Sequence, residues 1–264
     1  MTILDKIIES TKLRVERERL ITPIEALIAE CEGVPRLDFE FETALKADGV
    51  SFICEVKKAS PSKGVIAPDF PYLDIARDYE MGGAACVSVL TEPDYFLGSD
   101  AYLQEIALAI HLPTLRKDFI IDPMQIYQAR LLGARAVLLI CSALGSNELY
   151  SYLTIANDLG LSALVEVHDK EELTLAAAAG ARLIGVNNRN LKTFDVDISN
   201  SIRLREFAPP GIIFTAESGI KTRGDVELLE AHGIDAVLVG ETLMRSGDRQ
   251  AALRALSGAA DTNM

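Results

Sequence analysis

Eight short apolar runs recur along the chain, and helical stretches fill the intervals between them. The runs are Phe52–Val56, Ala85–Leu90, Pro113–Leu115, Ala134–Ile140, Ser162–Val167, Leu183–Val186, Gly211–Phe214 and Ala236–Val239, with centres about 20 to 35 residues apart. Apolar residues at helical spacing mark Tyr72–Gly82, Gln125–Leu132, Ser146–Leu159, Lys170–Ala179 and Thr222–His232. Several of these close on glycine just ahead of the next run, at Gly82-Gly83-Ala84, Gly133-Ala134, Gly160-Leu161, Gly180-Ala181 and Gly233-Ile234. Glycine is the residue that most easily takes the left-handed position ending a helix. The runs are nearly continuous in apolar residues, as parallel strands covered on both faces require. Eight strand–helix units in about 210 residues predict an α/β fold, a (β/α)8 TIM barrel. A doubly wound open sheet is the alternative, but no GxGxxG follows the first run, which weighs against its dinucleotide-binding form.

Ahead of the first run, Ile3, Leu4, Ile7, Ile8, Ile24, Leu27 and Ile28 recur at helical spacing, with Thr22-Pro23 as punctuation. Residues 1–48 therefore form an N-terminal helical extension to a single barrel domain spanning 1–264. Simple packing against the barrel and a lid over one face are both open for it. The net charge is −13 and no basic tract occurs, which argues against a nucleic-acid partner. Cys31, Cys54, Cys86 and Cys141 lack CxxC spacing and three lie in apolar runs, so they read as reduced core thiols of a cytoplasmic protein. No leader and no run of transmembrane length is expected. Oligomeric state is not legible; a monomer or weak homo-oligomer is assumed. His111, His168 and His232 have no ligand spacing, so no metal is expected. His168 is expected to point away from Glu166.

Barrels of this kind keep their chemistry at the C-terminal strand ends. The first run carries Glu55 and Lys57, two apart and so on one face of an extended strand, followed by Ser60 in a Ser-Pro-Ser-Lys-Gly loop. Alone, they could equally be a surface ion pair. The second run leads to Glu92 and Phe96, the third to Arg116-Lys117-Asp118-Phe119, and the fifth to Glu166. The sixth leads to Asn187-Asn188-Arg189-Asn190, the seventh to Glu217-Ser218-Gly219, and the eighth to Gly240-Glu241. Acids and ammonium groups meeting in a partly dry mouth acquire the shifted pKa values that acid–base catalysis needs. Ser218-Gly219 and Gly240-Glu241 are small-residue turns before helices, suited to an anion or simply tight. Glu241 has the wrong charge for phosphate, so only its N–H is expected to serve.

These motifs resemble those of the indole-3-glycerol phosphate synthase family. Glu55-Val56-Lys57-Lys58-Ala59-Ser60-Pro61-Ser62-Lys63-Gly64 carries the most specific likeness. Leu90-Thr91-Glu92, Arg116-Lys117-Asp118-Phe119, Leu164-Val165-Glu166-Val167, Gly185-Val186-Asn187-Asn188-Arg189-Asn190-Leu191 and Ala216-Glu217-Ser218-Gly219-Ile220 extend it along the chain. The resemblance implies a cofactor-free carboxy-lyase of tryptophan biosynthesis acting on a phosphorylated small molecule, with the extension over the barrel mouth. It implies Lys117 as general acid, Glu166 as base of the dehydration, and Glu55 and Lys57 as an assisting pair. Asn187 and Glu217 would hold sugar hydroxyls and the lysines. Ser60, Ser218, Gly219, Gly240 and Glu241 would surround phosphate. Phe96 and Phe119 would flank the aromatic ring, and Arg189 would tie neighbouring strand ends. The rivals are a sugar-phosphate isomerase on the same barrel, such as phosphoribosylanthranilate isomerase, and a non-catalytic barrel that binds a phosphorylated metabolite or a partner protein.

Overall fold

A computed structural model describes residues 1–190 and 193–259; Leu191, the end of the sixth-strand motif, lies outside the described residues. Eight parallel strands close on themselves in the order of the sequence. They are β1 (Ser51–Val56), β2 (Cys86–Leu90), β3 (Thr114–Lys117), β4 (Ala136–Ile140), β5 (Ser162–Val167), β6 (Leu183–Asn187), β7 (Ile213–Glu217) and β8 (Ala236–Val239). The seam pairs Ser51 with Ala236 and Cys54 with Val239. Closure leaves no sheet edge.

The pleat sorts each strand's side chains into two shells. Phe52, Cys54 and Val56 face outward into the layer between strands and helices, whereas Ile53 joins an inner cluster with Cys86, Leu115, Ala136, Leu164, Leu183, Ile213 and Ala236. Each buried leucine or isoleucine among them contributes roughly 1.5–3 kcal/mol. Counting onward by two from the inner residues reaches Glu55 and Lys57, Lys117, Glu166, Asn187, Glu217 and Gly240. The apolar floor of the barrel and the charged groups above it are thus one alternation, read upward.

Three strands run further than the apolar pattern predicts: β3 to Lys117, β6 to Asn187, and β7 over Ile213–Glu217 instead of Gly211–Phe214. Their last residues are polar or charged, which masks them as strand in the sequence. They stay in the sheet because partners on adjacent strands satisfy them at the mouth.

The outer helices are α4 (Tyr72–Gly82), α5 (Asp100–Ala109), α6 (Met124–Leu131), α7 (Ser146–Leu159), α8 (Lys170–Ala178), α9 (Ser199–Arg205), α10 (Arg223–Ala231), α11 (Glu241–Met244) and α12 (Arg249–Ser257). Gly83 and Gly160 end α4 and α7 in the left-handed region, at φ 93° and 71°.

The N-terminal segment holds α1 (Ile3–Ile21), α2 (Ile24–Glu32) and α3 (Glu40–Ala44), with the break at Thr22-Pro23. Phe41 and Leu45 plug the base of the barrel. At the other end, α1 is fastened to the loops after β2 and β3. Ser10 Oγ donates to Asp94, Arg14 forms an ion pair of 2.7 Å with Asp118, and Arg19 pairs with Asp122. Val15 and Leu27 pack on Met124 of α6.

Candidate active site

A cavity of about 840 Å³ opens at the C-terminal strand ends, lined among others by Glu55, Lys57, Ser60, Phe96, Lys117, Phe119, Glu166, Asn187, Arg189, Glu217, Ser218, Gly219, Gly240 and Glu241. All fourteen residues singled out from the sequence therefore meet at one site. Ile3, Leu4 and Ile7 of α1 line its upper wall.

Two charged groups form its floor. Lys57 donates to Glu55 at the end of β1. Lys117 Nζ stands 3.5 Å from Glu166 Oε2 and 3.8 Å from Glu217 Oε2. Asn187 Nδ2 donates to Glu166 Oε1 at 3.1 Å, while its Oδ1 accepts from Arg189 N and Ser218 Oγ, both at 3.0 Å. The Asn187 amide thereby fixes the Glu166 carboxylate and braces the loops after β6 and β7.

Burial and neighbours push the two acids of this group apart. Burial raises the Glu217 carboxyl, and the adjoining Glu166 and Glu55 add to this against the pull of Lys117; the result is a pKa of about 8. Burial also acts on Glu166, but Lys117, His168 and the Asn187 amide outweigh it and hold this carboxylate below its usual range. Burial would strip Lys117 of its proton, yet Glu166, Glu217 and Glu55 hold its pKa above the ordinary value. At neutral pH the site therefore sets a protonated Lys117 beside an ionised Glu166 and a neutral Glu217. An acid and a base with opposed proton affinities stand side by side, as acid–base chemistry requires.

Two glycines make room for these groups. A Cβ on Gly185 would stand 2.1 Å from Glu217 Oε1, and one on Gly240 would stand 2.4 Å from Glu55 Oε2. Sequence reasoning assigned Gly240 to an anion and passed over Gly185. A lone glycine inside an apolar strand is the available signal, since it often marks a close approach.

The rings of Phe96 and Phe119 lie with centroids 6.0 Å apart at 39° on one wall. Each rides on a loop held by a buried carboxylate. Glu92 accepts from the backbone N–H groups of Asp94, Tyr95 and Phe96 at 3.0, 2.7 and 2.9 Å, and Asp118 Oδ1 accepts from Phe119 N at 2.8 Å. These supports were not recognised in the sequence.

At the opposite corner, Ser218 and Gly219 both have positive φ, 67° and 91°. A serine held there is strained by about 1–3 kcal/mol. The Glu241 carboxylate accepts from Arg245 Nε at 3.0 Å and lies 3.4 Å from Lys63 Nζ. Its charge is thus matched by two cations that also line the cavity. The Glu241–Arg245 spacing of four on a helix is the local signal for that pair. Ser60 belongs to a small antiparallel ladder in which Ala59–Ser60 pairs with Gly64–Val65, so the Ser-Pro-Ser-Lys-Gly loop is folded back as a flap at the mouth.

Arg189 donates through Nη1 to Phe194 O of its own loop at 3.3 Å. The ends of β6 and β7 are tied by Asn188, whose Nδ2 donates to Ser218 O at 3.2 Å, together with Asn187. One expectation is corrected. His168 does not turn away from Glu166: its Nε2 lies 3.5 Å from Glu166 Oε1. The reason is parity, since residues two apart on a strand share a face.

Among the described residues no group of three or more His, Cys, Asp or Glu side chains is placed to hold a metal ion, and no helix is long and apolar enough to cross a membrane. The four cysteines are free and buried.

Strand-end acids and amines gathered above a packed apolar floor define a (β/α)8-barrel enzyme. The family model described as indole-3-glycerol phosphate synthase matches residues 4–256. The chain is 55% identical over 259 residues to the indole-3-glycerol phosphate synthase of Ruminiclostridium cellulolyticum, covering 98% of this chain and 100% of that one. It is 52% identical to that of Endomicrobium trichonymphae, covering 96% and 99% of the two chains. In fold it is similar to 3-hexulose-6-phosphate synthase from Salmonella typhimurium, with a TM-score of 0.64 at 17% identity over 79% of this chain and 97% of the other. The chain belongs to the indole-3-glycerol phosphate synthase family.

Proposed function

We propose that this site closes the indole ring of 1-(2-carboxyphenylamino)-1-deoxyribulose 5-phosphate, releasing CO₂ and water to give indole-3-glycerol phosphate. The observation that carries the reading is Lys117 Nζ held between Glu166 and Glu217, at 3.5 and 3.8 Å, on the floor of a cavity walled by Phe96 and Phe119.

The order of events follows from the chemistry. The ring carbon that bears the carboxylate attacks the ketone, which interrupts aromaticity. A proton from Lys117 onto the ketone oxygen lowers that barrier. General acid help of this kind is worth roughly 10²–10⁴-fold, or about 3–5 kcal/mol. Loss of CO₂ then returns its bonding electrons to the cationic ring, so no electron-accepting cofactor is required. In the dehydration the hydroxyl departs with a proton from an ammonium group while Glu166 takes one from the carbon next to nitrogen. Lys57, paired with Glu55, would meet the substrate carboxylate.

Phosphate would sit at the corner formed by Ser60, Ser218, Gly219, Gly240 and Glu241, with Lys63 and Arg245 supplying the positive charge. Its grip would fix the reacting atoms through remote binding energy. The reading assumes a working monomer or a weak homo-oligomer. Four free buried thiols fit a reducing, cytoplasmic setting. Addition of the ribulose phosphate substrate to the protein should produce the absorbance and fluorescence of an indole. No indole signal from folded protein would refute the reading.

A further inference from the structure

His168 forms the middle of a chain of three groups that leads from Glu166 away from the cavity. Its Nδ1 lies 3.2 Å from Glu172 Oε2, and the same oxygen accepts from the His168 backbone N–H at 2.8 Å. Glu172 is in turn fixed at the start of α8, where its own N–H donates to Asp169 Oδ1 at 2.9 Å. Asn200 of α9 donates to the His168 carbonyl at 3.1 Å. The backbone contact alone would complete the helix start, whatever the side chain at position 168. The ring is therefore an addition to that cap.

The far side of the ring is the informative one. Nε2 is buried without a hydrogen-bond partner and lies 3.5 Å from Glu166 Oε1. With Glu172 fixing a proton on Nδ1, a neutral ring would aim a lone pair at a carboxylate lone pair. Two buried acceptors face to face are unfavourable. The contact becomes attractive when a proton lies on Nε2, giving an imidazolium between two carboxylates.

We propose that His168, held by Glu172, is a positioning residue for the dehydration step: its ring sets an N–H against Oε1 of Glu166, keeping that carboxylate ionised and its Oε2 turned to Lys117 and the substrate. This rests on the reading of Glu166 as the base. The charged and titratable groups facing the ring are Glu166 from β5, Glu172 from α8 and Glu217 from β7; the Cys141 thiol after β4 lies behind Glu172, 3.8 Å from its carbonyl. Burial alone would deprotonate His168, but the bond to Glu172 and the neighbouring acids outweigh it and raise its pKa. A base serves only while ionised, so loss of the cation should move the acidic limb of the rate profile upward.

The test is the pH profile of kcat and KM for the wild type, His168→Ala, His168→Gln and Glu172→Gln, each checked for folding by circular dichroism. His168→Ala should leave KM within about twofold and shift the acidic limb up by about one pH unit, so that kcat falls by up to about tenfold on the acid side of that limb and recovers toward neutral pH. Glu172→Gln should shift the limb in the same direction by less. His168→Gln, which restores an N–H without the charge, should recover part of the lost rate. An unshifted limb in folded variants, or a loss of rate equal at all pH values, overturns the proposal. If His168→Ala fails to fold, the two glutamine variants decide by the same criteria. Full turnover in Glu166→Gln would instead remove the parent reading, so the two failures are distinguishable.

Discussion

Arg14 and Asp118 meet in a two-pronged ion pair, Nη2 to Oδ1 at 2.7 Å and Nη1 to Oδ2 at 3.1 Å, across 104 residues of sequence. Asp118 follows Lys117 directly and is buried; it also accepts from Thr91 Oγ1 at 2.8 Å. Burial would raise its pKa, but Arg14 and Arg116 hold it below the usual carboxylate range. The first helix is thus bolted to the residue beside the proposed acid.

Arg14→Ala should therefore act on both stability and binding. Asp118 keeps Arg116 at 3.4 Å, so the loss is smaller than for a fully orphaned charge, about 2 kcal/mol. Urea denaturation should report that loss. Kinetics should report a raised KM, since Ile3, Leu4 and Ile7 on the same helix line the cavity.

Lys117→Ala should lower kcat by roughly 10²–10⁴-fold while a phosphorylated substrate analogue still binds. Single-turnover fluorescence and equilibrium binding separate these effects. Turnover at the wild-type rate would exclude Lys117 as the acid. Glu166→Gln should leave a folded protein with strongly slowed dehydration, and product analysis should then find a decarboxylated, hydroxylated intermediate.

Glu217 gives the free protein a pH dependence of known sign. Its carboxyl has a pKa of about 8 when folded against an ordinary value of 4.5. Between those values the folded chain keeps a proton that the unfolded chain has lost. Its contribution to stability is full below the lower value and falls as pH rises toward the upper one. Glu217→Gln, neutral at every pH, should remove that downward slope. Denaturation curves at about pH 5 and about pH 8 check it, and an unchanged slope would contradict the assignment.

Gly185→Ala places a methyl group 2.1 Å from Glu217 Oε1 and 3.0 Å from Leu164 Cδ1. Overpacking of this kind costs about 1–3 kcal/mol. Displacing Glu217 from Lys117 should lower kcat about tenfold or more. Gly247→Ala is the control, because a Cβ there meets nothing within 4 Å. Equal kinetics for the two variants would show that room beside Glu217 is not required.

The barrel was legible because eight apolar runs and their glycine-closed helices are local patterns. The ends of β3, β6 and β7 were not, because Lys117, Asn187 and Glu217 break the apolar pattern at the positions that carry chemistry. The charged site residues could be collected by parity and strand end. His168 obeys the same rule of two and was nonetheless placed on the wrong side. Gly185 and the Glu241–Arg245 pair left faint local marks. Ser10, Arg14 and Arg19 left none, since their partners lie about 80 to 104 residues away and nothing in an exposed-looking helix names them.

The seam between β1 and β8 has a consequence for how activity is gained during synthesis. Gly240, near the end of the chain, supplies the hollow into which Glu55 and Lys57 fit. A nascent polypeptide holding seven strands would own most of the acids and amines yet lack this wall. Indole formation should then switch on only when the last strand docks, so that turnover itself times the completion of folding.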